Sequence, residues 1–266
     1  MKKEVIEDLS RKLFEDGFVH VKSLLNGKEI DLLKKAIESN LKKLSPFAVN
    51  IKQSNHSGKF FMDFNNWRRL PLIEMICRLP KLVKLVTDLT NSNNCWLFHD
   101  HTLVKSGIAK PTPIHHDRPY HIFKGNLNCS VWITADNVPK GSSLIFYKSS
   151  HKQNKIFLPK AFMDGINISS EDKSFVNLDN YNLKNHPAVD FEMAQGDAVV
   201  FFNTCLHSSH AHESESIRRA LSIRYLLDGA LLTKKYINAT PPFDRMGVNI
   251  VEDGPVPESF FPKLKG

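Results

Sequence analysis

The sequence predicts a mainly β fold, a sandwich or closed antiparallel sheet, preceded by a helical N-terminal stretch. From Cys95 onward short apolar runs follow one another: "CWLFHDHTLV", "NCSVWITA", "SLIFYK", "AVVFF" and "RALSIRYLL". Clusters of Gly, Pro, Asn and Asp divide them. The runs stand too close together for helical crossovers, which argues against a parallel sheet. Before Cys95 the apolar residues recur instead at three- or four-residue spacing.

Taken in order, residues 3 to 14 read as a helix with Val5, Ile6, Leu9, Leu13 and Phe14 on one side. "DGF" breaks it, and "FVHV" reads as a short strand. Asn26 and Gly27 open a second helix, to about Leu44, with Ile30, Leu33, Ile37 and Leu41 inward. "SNHSGK", Ser54 to Lys59, is a loop, and a helical zone from Leu72 to about Thr90 is interrupted by Pro80. In the β region, Lys160 to His186 is polar and irregular, part of an insertion between strands over about 153–187. The proline-rich tail, 231–266, is expected to wrap the surface or a site mouth. With no internal repeat and no second domain, the chain reads as one domain over 1–266. Residues 1–94 form its mainly helical part and 95–230 its core.

Composition narrows the function. The net charge is +8. The lysines are scattered rather than gathered into a block, so a solvated basic surface explains the charge better than nucleic-acid binding, and a preference for anionic small molecules is its other use. No apolar run is long enough for a membrane span, and the N-terminus lacks the apolar stretch of a signal peptide. Cys77, Cys95, Cys129 and Cys205 form no CxxC pair, which suits reduced thiols in the cytoplasm. The oligomeric state cannot be read.

The chemistry is in "PTPIHHDRPY", Pro111 to Tyr120. If this stretch is extended, as its prolines favour, His115 and Asp117 share one face and His116 the other. One imidazole and one carboxylate are two thirds of a 2-His-1-carboxylate iron site. "GDAVVFFNTCLHSSHAHES" offers His207, His210 and His212 as the third ligand. His207 is preferred because it ends the strongest apolar strand. Eleven residues on, in "RRALSIRY", Arg218, Ala220, Ser222 and Arg224 share one strand face. Leu221, Ile223 and Tyr225 share the other. A strand with one complete apolar face and two arginines on the other is either half exposed or lines a polar cavity. A guanidinium in a cavity needs an anion, for which a carboxylate fits two-pronged. "FHDH", Phe98 to His101, is a rival metal set that nothing downstream completes; a polar strand edge near the mouth explains it better.

The order HxD, a long gap, His, then Arg resembles the phytanoyl-CoA dioxygenase family of Fe(II)/2-oxoglutarate oxygenases. The likeness extends to "FEDGFVHVKSLL", "TLVKSG", "VWITADNV" and "TPPF". It departs at "KSSH", where the family has a PGSH turn, and at His212, where the family has Asn. The resemblance implies a double-stranded β-helix (jelly roll, cupin-like) core with N-terminal helices packed on it. It implies Fe(II) held by His115, Asp117 and His207, with 2-oxoglutarate and O2 as cosubstrates. By the same resemblance Arg218 and Ser209 hold the distal carboxylate, and Trp132 and Lys105 lie beside it. His101, Tyr120 and Arg224 are candidate substrate contacts, and His116 is a packed histidine. Asp117 occupies the position that halogenating relatives leave open for a halide, which favours hydroxylation of a small metabolite. The alternative is a non-catalytic sensor on the same scaffold, whose mark would be a lost ligand or arginine; neither is missing.

Overall fold

A computed structural model describes the chain except residues 53–57, 110, 161–167, 169, 171 and 237–238, and the side chains of 52 and 213–215. It opens with α1 (Lys3–Asp16), β1 (Phe18–Val21), α2 (Gly27–Lys42), β2 (Val49–Lys52), β3 (Lys59–Phe64), α3 (Pro71–Cys77) and α4 (Pro80–Thr90). The strands that follow are β4 (Cys95–Ala109), β5 (Thr112–His115), β6 (Phe123–Lys124), β7 (Cys129–Thr134), β8 (Leu144–Tyr147), β9 (Ile156–Phe157) and β10 (Phe175–Val176). The last are β11 (Ala188–Asp190), β12 (Ala198–Phe202), β13 (His207–Ser209), β14 (His212–Leu227) and β15 (Leu231–Leu232).

Two antiparallel sheets face each other as a double-stranded β-helix. The larger has the order β1-β12-β7-β14-β4-β3-β2 and the smaller β11-β8-β13-β5. Strand parity explains the layers. Val131, Ile133, Leu221, Ile223 and Tyr225 point outward into a core shared with the helices. Trp132 and Ala220 point inward and pack with Phe146 of the small sheet. The central strands of the large sheet are therefore covered on both faces, by the helices outside and the small sheet inside, as a layered fold requires.

The helices show why periodicity is only a partial guide. Leu13 is fully buried, whereas Val5 and Phe14, expected on the same side, are exposed. Gly17 ends α1 at φ 92°, and a Cβ there would meet His151 Nδ1 at 2.4 Å, so only glycine serves. Asn26 caps α2 by accepting from Glu29 N, and the Glu29 carboxylate accepts from Asn26 N in return. On α2, Leu33 and Ile37 point inward, but Leu41 is exposed and Ala36 and Asn40 take the buried positions instead. Asn40 is buried because its amide donates to the Asp63 carboxylate of β3 at 2.6 Å. Pro80 does not merely interrupt one helix; Pro71 and Pro80 each start one, where a missing N–H costs nothing.

Residues 1–94 contain more sheet than the one strand expected there: β1 is the "FVHV" strand at one edge of the large sheet, and β2 and β3, not read as strands, extend the other edge. Most of the expected Ser54–Lys59 loop lies outside the described residues. In the insertion, β9 and β10 pair in parallel, and Phe157, Leu178 and Leu206 bury one another. The tail forms a core of its own: Phe243 and Phe261 are fully buried with Phe98 and Phe123, and Leu97 N donates to Pro262 O at 3.0 Å. In the "KSSH" turn, Ser149 takes the left-handed position at φ 58°, and the Ser150 hydroxyl donates to Tyr147 O while accepting from Leu206 N.

Candidate metal centre

His115 ends β5 and His207 begins β13, and the two residues are paired across these neighbouring strands. That register brings the imidazole rings to 4.3 Å between centroids. Asp117 reaches the same point differently. The chain is not extended there: Asp117 is helical (φ −73°, ψ −25°) and precedes a 3-10 turn at Arg118–Tyr120. The turn, rather than strand alternation, aims the carboxylate. Its Oδ1 lies 3.9 Å from His115 Nε2 and 3.8 Å from His207 Nε2, and all three groups are buried. His207 likewise opens a new strand in the small sheet and does not end the apolar strand β12.

The local hydrogen bonds prepare each atom. His115 Nδ1–H donates to Pro113 O (2.8 Å) and His207 Nδ1–H to Cys205 O (3.0 Å), because a carbonyl can only accept. Both Nε2 lone pairs are thereby left facing Asp117. Burial, reinforced by His207, pushes His115 down to about 3, and burial lowers His207 too, so both rings are neutral at pH 7. Burial alone would raise Asp117; the Arg224 guanidinium at 3.3 Å, then His207, outweigh it and hold the carboxyl well below its ordinary range. Ser130 Oγ donates to Asp117 Oδ2 at 3.2 Å, leaving Oδ1 toward the histidines. Among the described residues this is the set of His, Cys, Asp and Glu able to hold a metal, its ligand atoms all within 4.8 Å of one another. Bonds to first-row metals run about 2.0–2.2 Å, so one ion bridges that spacing after a small closure. Neutral imidazoles and a carboxylate fit Fe(II).

The three groups line a cavity of about 290 Å³ with Arg218, Ser209, Trp132, Tyr120, His101 and Arg224. Arg218 and Lys105 are register partners on β14 and β4. Arg218 is buried, donates to Ser142 O, and its Cζ stands 5.9 Å from the Trp132 ring centroid. Among the described residues no acidic side chain pairs with it. Burial lowers it only to about 10, so it stays charged at pH 7. Lys105 Nζ donates to Ser209 Oγ (2.9 Å), which donates in turn to Thr112 Oγ1 (2.8 Å). A buried guanidinium with hydroxyls beside it and no internal counter-ion fits the distal carboxylate of 2-oxoglutarate.

The remaining histidines separate. His210 pairs with Asp190 at 3.1 Å and His212 with Ser216 O at 2.8 Å, so neither joins His207. His116 points away from the centre and accepts from Phe157 N at 3.0 Å. In "FHDH", His99 and His101 line the cavity while Asp100 turns to the other face and accepts from Trp67 N. Among the described residues no metal set forms there. β3 pairs with β4 only up to His101, so Phe98–Asp100 lie past its end, with β14 on their other side. Tyr120 lines the wall, its hydroxyl donating to Lys160 O at 2.9 Å. The sequence reading missed Ser130 and Thr112; the parity of "CSVWIT", which puts Ser130 on the Trp132 face, was the available signal.

The phytanoyl-CoA dioxygenase family profile matches residues 13–220. Over 182 residues the chain is 26% identical to a probable phytanoyl-CoA dioxygenase of Caenorhabditis elegans, covering 63% of this chain and 54% of that protein. It thus spans about half the length of that relative. It is 23% identical over 238 residues to the peroxisomal phytanoyl-CoA dioxygenase of Rattus norvegicus, covering 81% of this chain and 67% of that one. Its fold is similar to that of the non-haem alpha-ketoglutarate-dependent epimerase SnoN from nogalamycin biosynthesis. The TM-score is 0.79 at 19% identity, over 99% of this chain and 100% of that one. The chain belongs to the phytanoyl-CoA dioxygenase family of iron- and 2-oxoglutarate-dependent oxygenases.

Proposed function

We propose that the protein is a hydroxylase acting on an aliphatic C–H bond of a small cytoplasmic metabolite, consuming O2 and 2-oxoglutarate and releasing succinate and CO2. The observation that carries this reading is the meeting of two Nε2 lone pairs and one carboxylate oxygen, 3.8–3.9 Å apart, in a buried cavity that also holds a charged guanidinium. His115, Asp117 and His207 are the metal ligands. Bound iron with 2-oxoglutarate supplies the oxidising power for C–H cleavage. Arg218 takes the distal carboxylate of the cosubstrate in a two-pronged contact, Ser209 adds a hydroxyl, and Lys105 adds charge behind it. Trp132 walls that end, and Leu103 and Leu144 add apolar lining. Arg224 and Ser130 fix Asp117 in the orientation the ion needs. His101, Tyr120 and Arg224 face the substrate. The four free, buried cysteines support a reducing compartment, and the family match together with the fold similarity supports a single oxygenase domain over 1–266.

The test is anaerobic addition of Fe(II) and 2-oxoglutarate, followed by air and a metabolite extract. The reading requires the visible absorption band of a chelated cosubstrate, then succinate and a product heavier by one oxygen atom, all lost in Asp117→Ala. No band sinks the reading. A product of unchanged mass and inverted centre would place the chemistry with that of SnoN, and tight binding without turnover would favour a sensor.

A further inference from the structure

The cavity contains a second polar layer, two rungs and more from the cationic end assigned to the distal carboxylate. The inward residues of β4 and β14 form a ladder of register partners: Lys105 with Arg218, Leu103 with Ala220, His101 with Ser222, His99 with Arg224. The first rung is the cationic end assigned above to the distal carboxylate, and the second is apolar. The third and fourth are polar, buried and short of partners. Among the described residues, His99 Nε2, both ring nitrogens of His101, Ser222 Oγ, and Nε and Nη1 of Arg224 meet no hydrogen-bonding atom, and all four residues line the cavity. Strands rise about 3.3 Å per residue, so Lys105 and His101 are about 13 Å apart along β4. A five-carbon diacid cannot satisfy both ends. Buried donors left open in this number cost several kcal/mol in aggregate unless a ligand meets them.

Charge indicates which ligand. Arg224 is only half used, since Asp117 takes one of its amino groups. With Lys105 protonated beside the bound dianion, the formal charges of iron(II), Arg218, Arg224, Lys105, Asp117 and 2-oxoglutarate leave two positive charges over. Beside this layer the wall is apolar: Phe60, Met62 and Phe64 of β3 line the cavity, and Phe64 stacks on His101 at 4.0 Å. We propose that the unpartnered layer of His99, His101, Ser222 and Arg224 is the substrate subsite, and that the substrate is a small organic anion whose carboxylate or phosphate sits on Arg224 and His101 while its apolar body lies along Phe60, Met62 and Phe64. This rests on the oxygenase reading of the same cavity.

The test is calorimetric titration of the full chain, loaded with Mn(II) and 2-oxoglutarate under argon, with hexanoate, hexyl phosphate, hexanol and hexylamine. At least one anion binds about tenfold or more tightly than hexanol, the loss expected when a charge-assisted contact is missing, and hexylamine binds worst. The winning anion identifies the head group. In Arg224→Gln the preference over hexanol shrinks to about twofold. His101→Phe, which keeps the packing on Phe64, reduces it by about threefold or more and decides the matter if the arginine variant does not fold. Four results overturn the proposal: hexanol matching both anions, no probe binding at about 10 mM, an anion that displaces 2-oxoglutarate, or variants that lose affinity for 2-oxoglutarate while keeping the head-group preference. If Mn(II) and 2-oxoglutarate do not bind at all, the oxygenase reading fails first.

Discussion

Two carbonyl oxygens decide which nitrogen of each ligand histidine is available, and Ser130, donating to Oδ2, decides which oxygen of Asp117 is. These are single-residue effects with separable sizes. Groups that orient a ligand change metal affinity by about 10–100-fold. Ser130→Ala should therefore weaken Mn(II) binding by about tenfold, and Asp117→Ala, which removes a ligand outright, by more than about 100-fold; calorimetry of the purified variants reads both. Lys105 gives a pH signature. Burial, then Arg218, lowers it from 10.5 to about 6, so at pH 8 it is mostly neutral in the free protein. A bound dianion favours the charged form and raises that value. Proton uptake should accompany 2-oxoglutarate binding between the two values, and affinity should fall as pH rises from about 6. Titrations in buffers of different ionisation enthalpy should detect the uptake in the wild type and not in Lys105→Met.

At the scale of elements, the centre exists because β5 and β13 are neighbours with His115 opposite His207, and because the chain turns immediately after His116. The adjacent histidines have opposite duties. His116 accepts the Phe157 N–H, tying the β9–β10 ribbon to the back of the site. His116→Leu leaves that buried donor orphaned and should cost about 1–3 kcal/mol of stability in denaturant unfolding. Mn(II) affinity should stay within about threefold, unlike the effect expected at an orienting or ligating residue. The same scale explains which elements the sequence displayed. The run "RRALSIRY" alternates cleanly because one face meets the helices and the other lines a polar cavity. The run "KFFMDF" of β3 is buried on both faces from Phe60 onward, so no alternation marks it as a strand. Val5 kept the helical period of α1 yet is exposed, and Phe14 touches the core only by an edge-on ring contact with Phe202 at 5.4 Å.

At the scale of the whole molecule, the ligand groups come from several strands and one turn, held apart by a sheet with helices packed on its outer face. Ligands that bind only this assembled state stabilise all of it. At about 100 times their dissociation constants, Mn(II) and 2-oxoglutarate should each contribute about 2.7 kcal/mol, and roughly 2–4 °C in Tm per kcal/mol is expected for a chain of this size. A rise of about 10 °C or more in thermal unfolding with both present, reversed by EDTA, is the expected outcome. Asp117→Ala should show little of it.

The sequence by itself determined the β character of the core, the composition of the candidate ligand set and the cationic face of β14. Each is written in local periodicity or in residue chemistry, which do not depend on distant partners. It could not choose among His207, His210 and His212 except by plausibility, and it assigned the convergence of His115 and Asp117 to the wrong backbone geometry. Those points were decided by the tertiary structure, because a metal site is defined by distances between strands remote in sequence. Only pairing β5 with β13 and turning the chain at Asp117 fixes them. The unpartnered layer of His99, His101, Ser222 and Arg224 is of the same kind: a missing hydrogen-bond partner is a property of a cavity and has no signature in the order of residues.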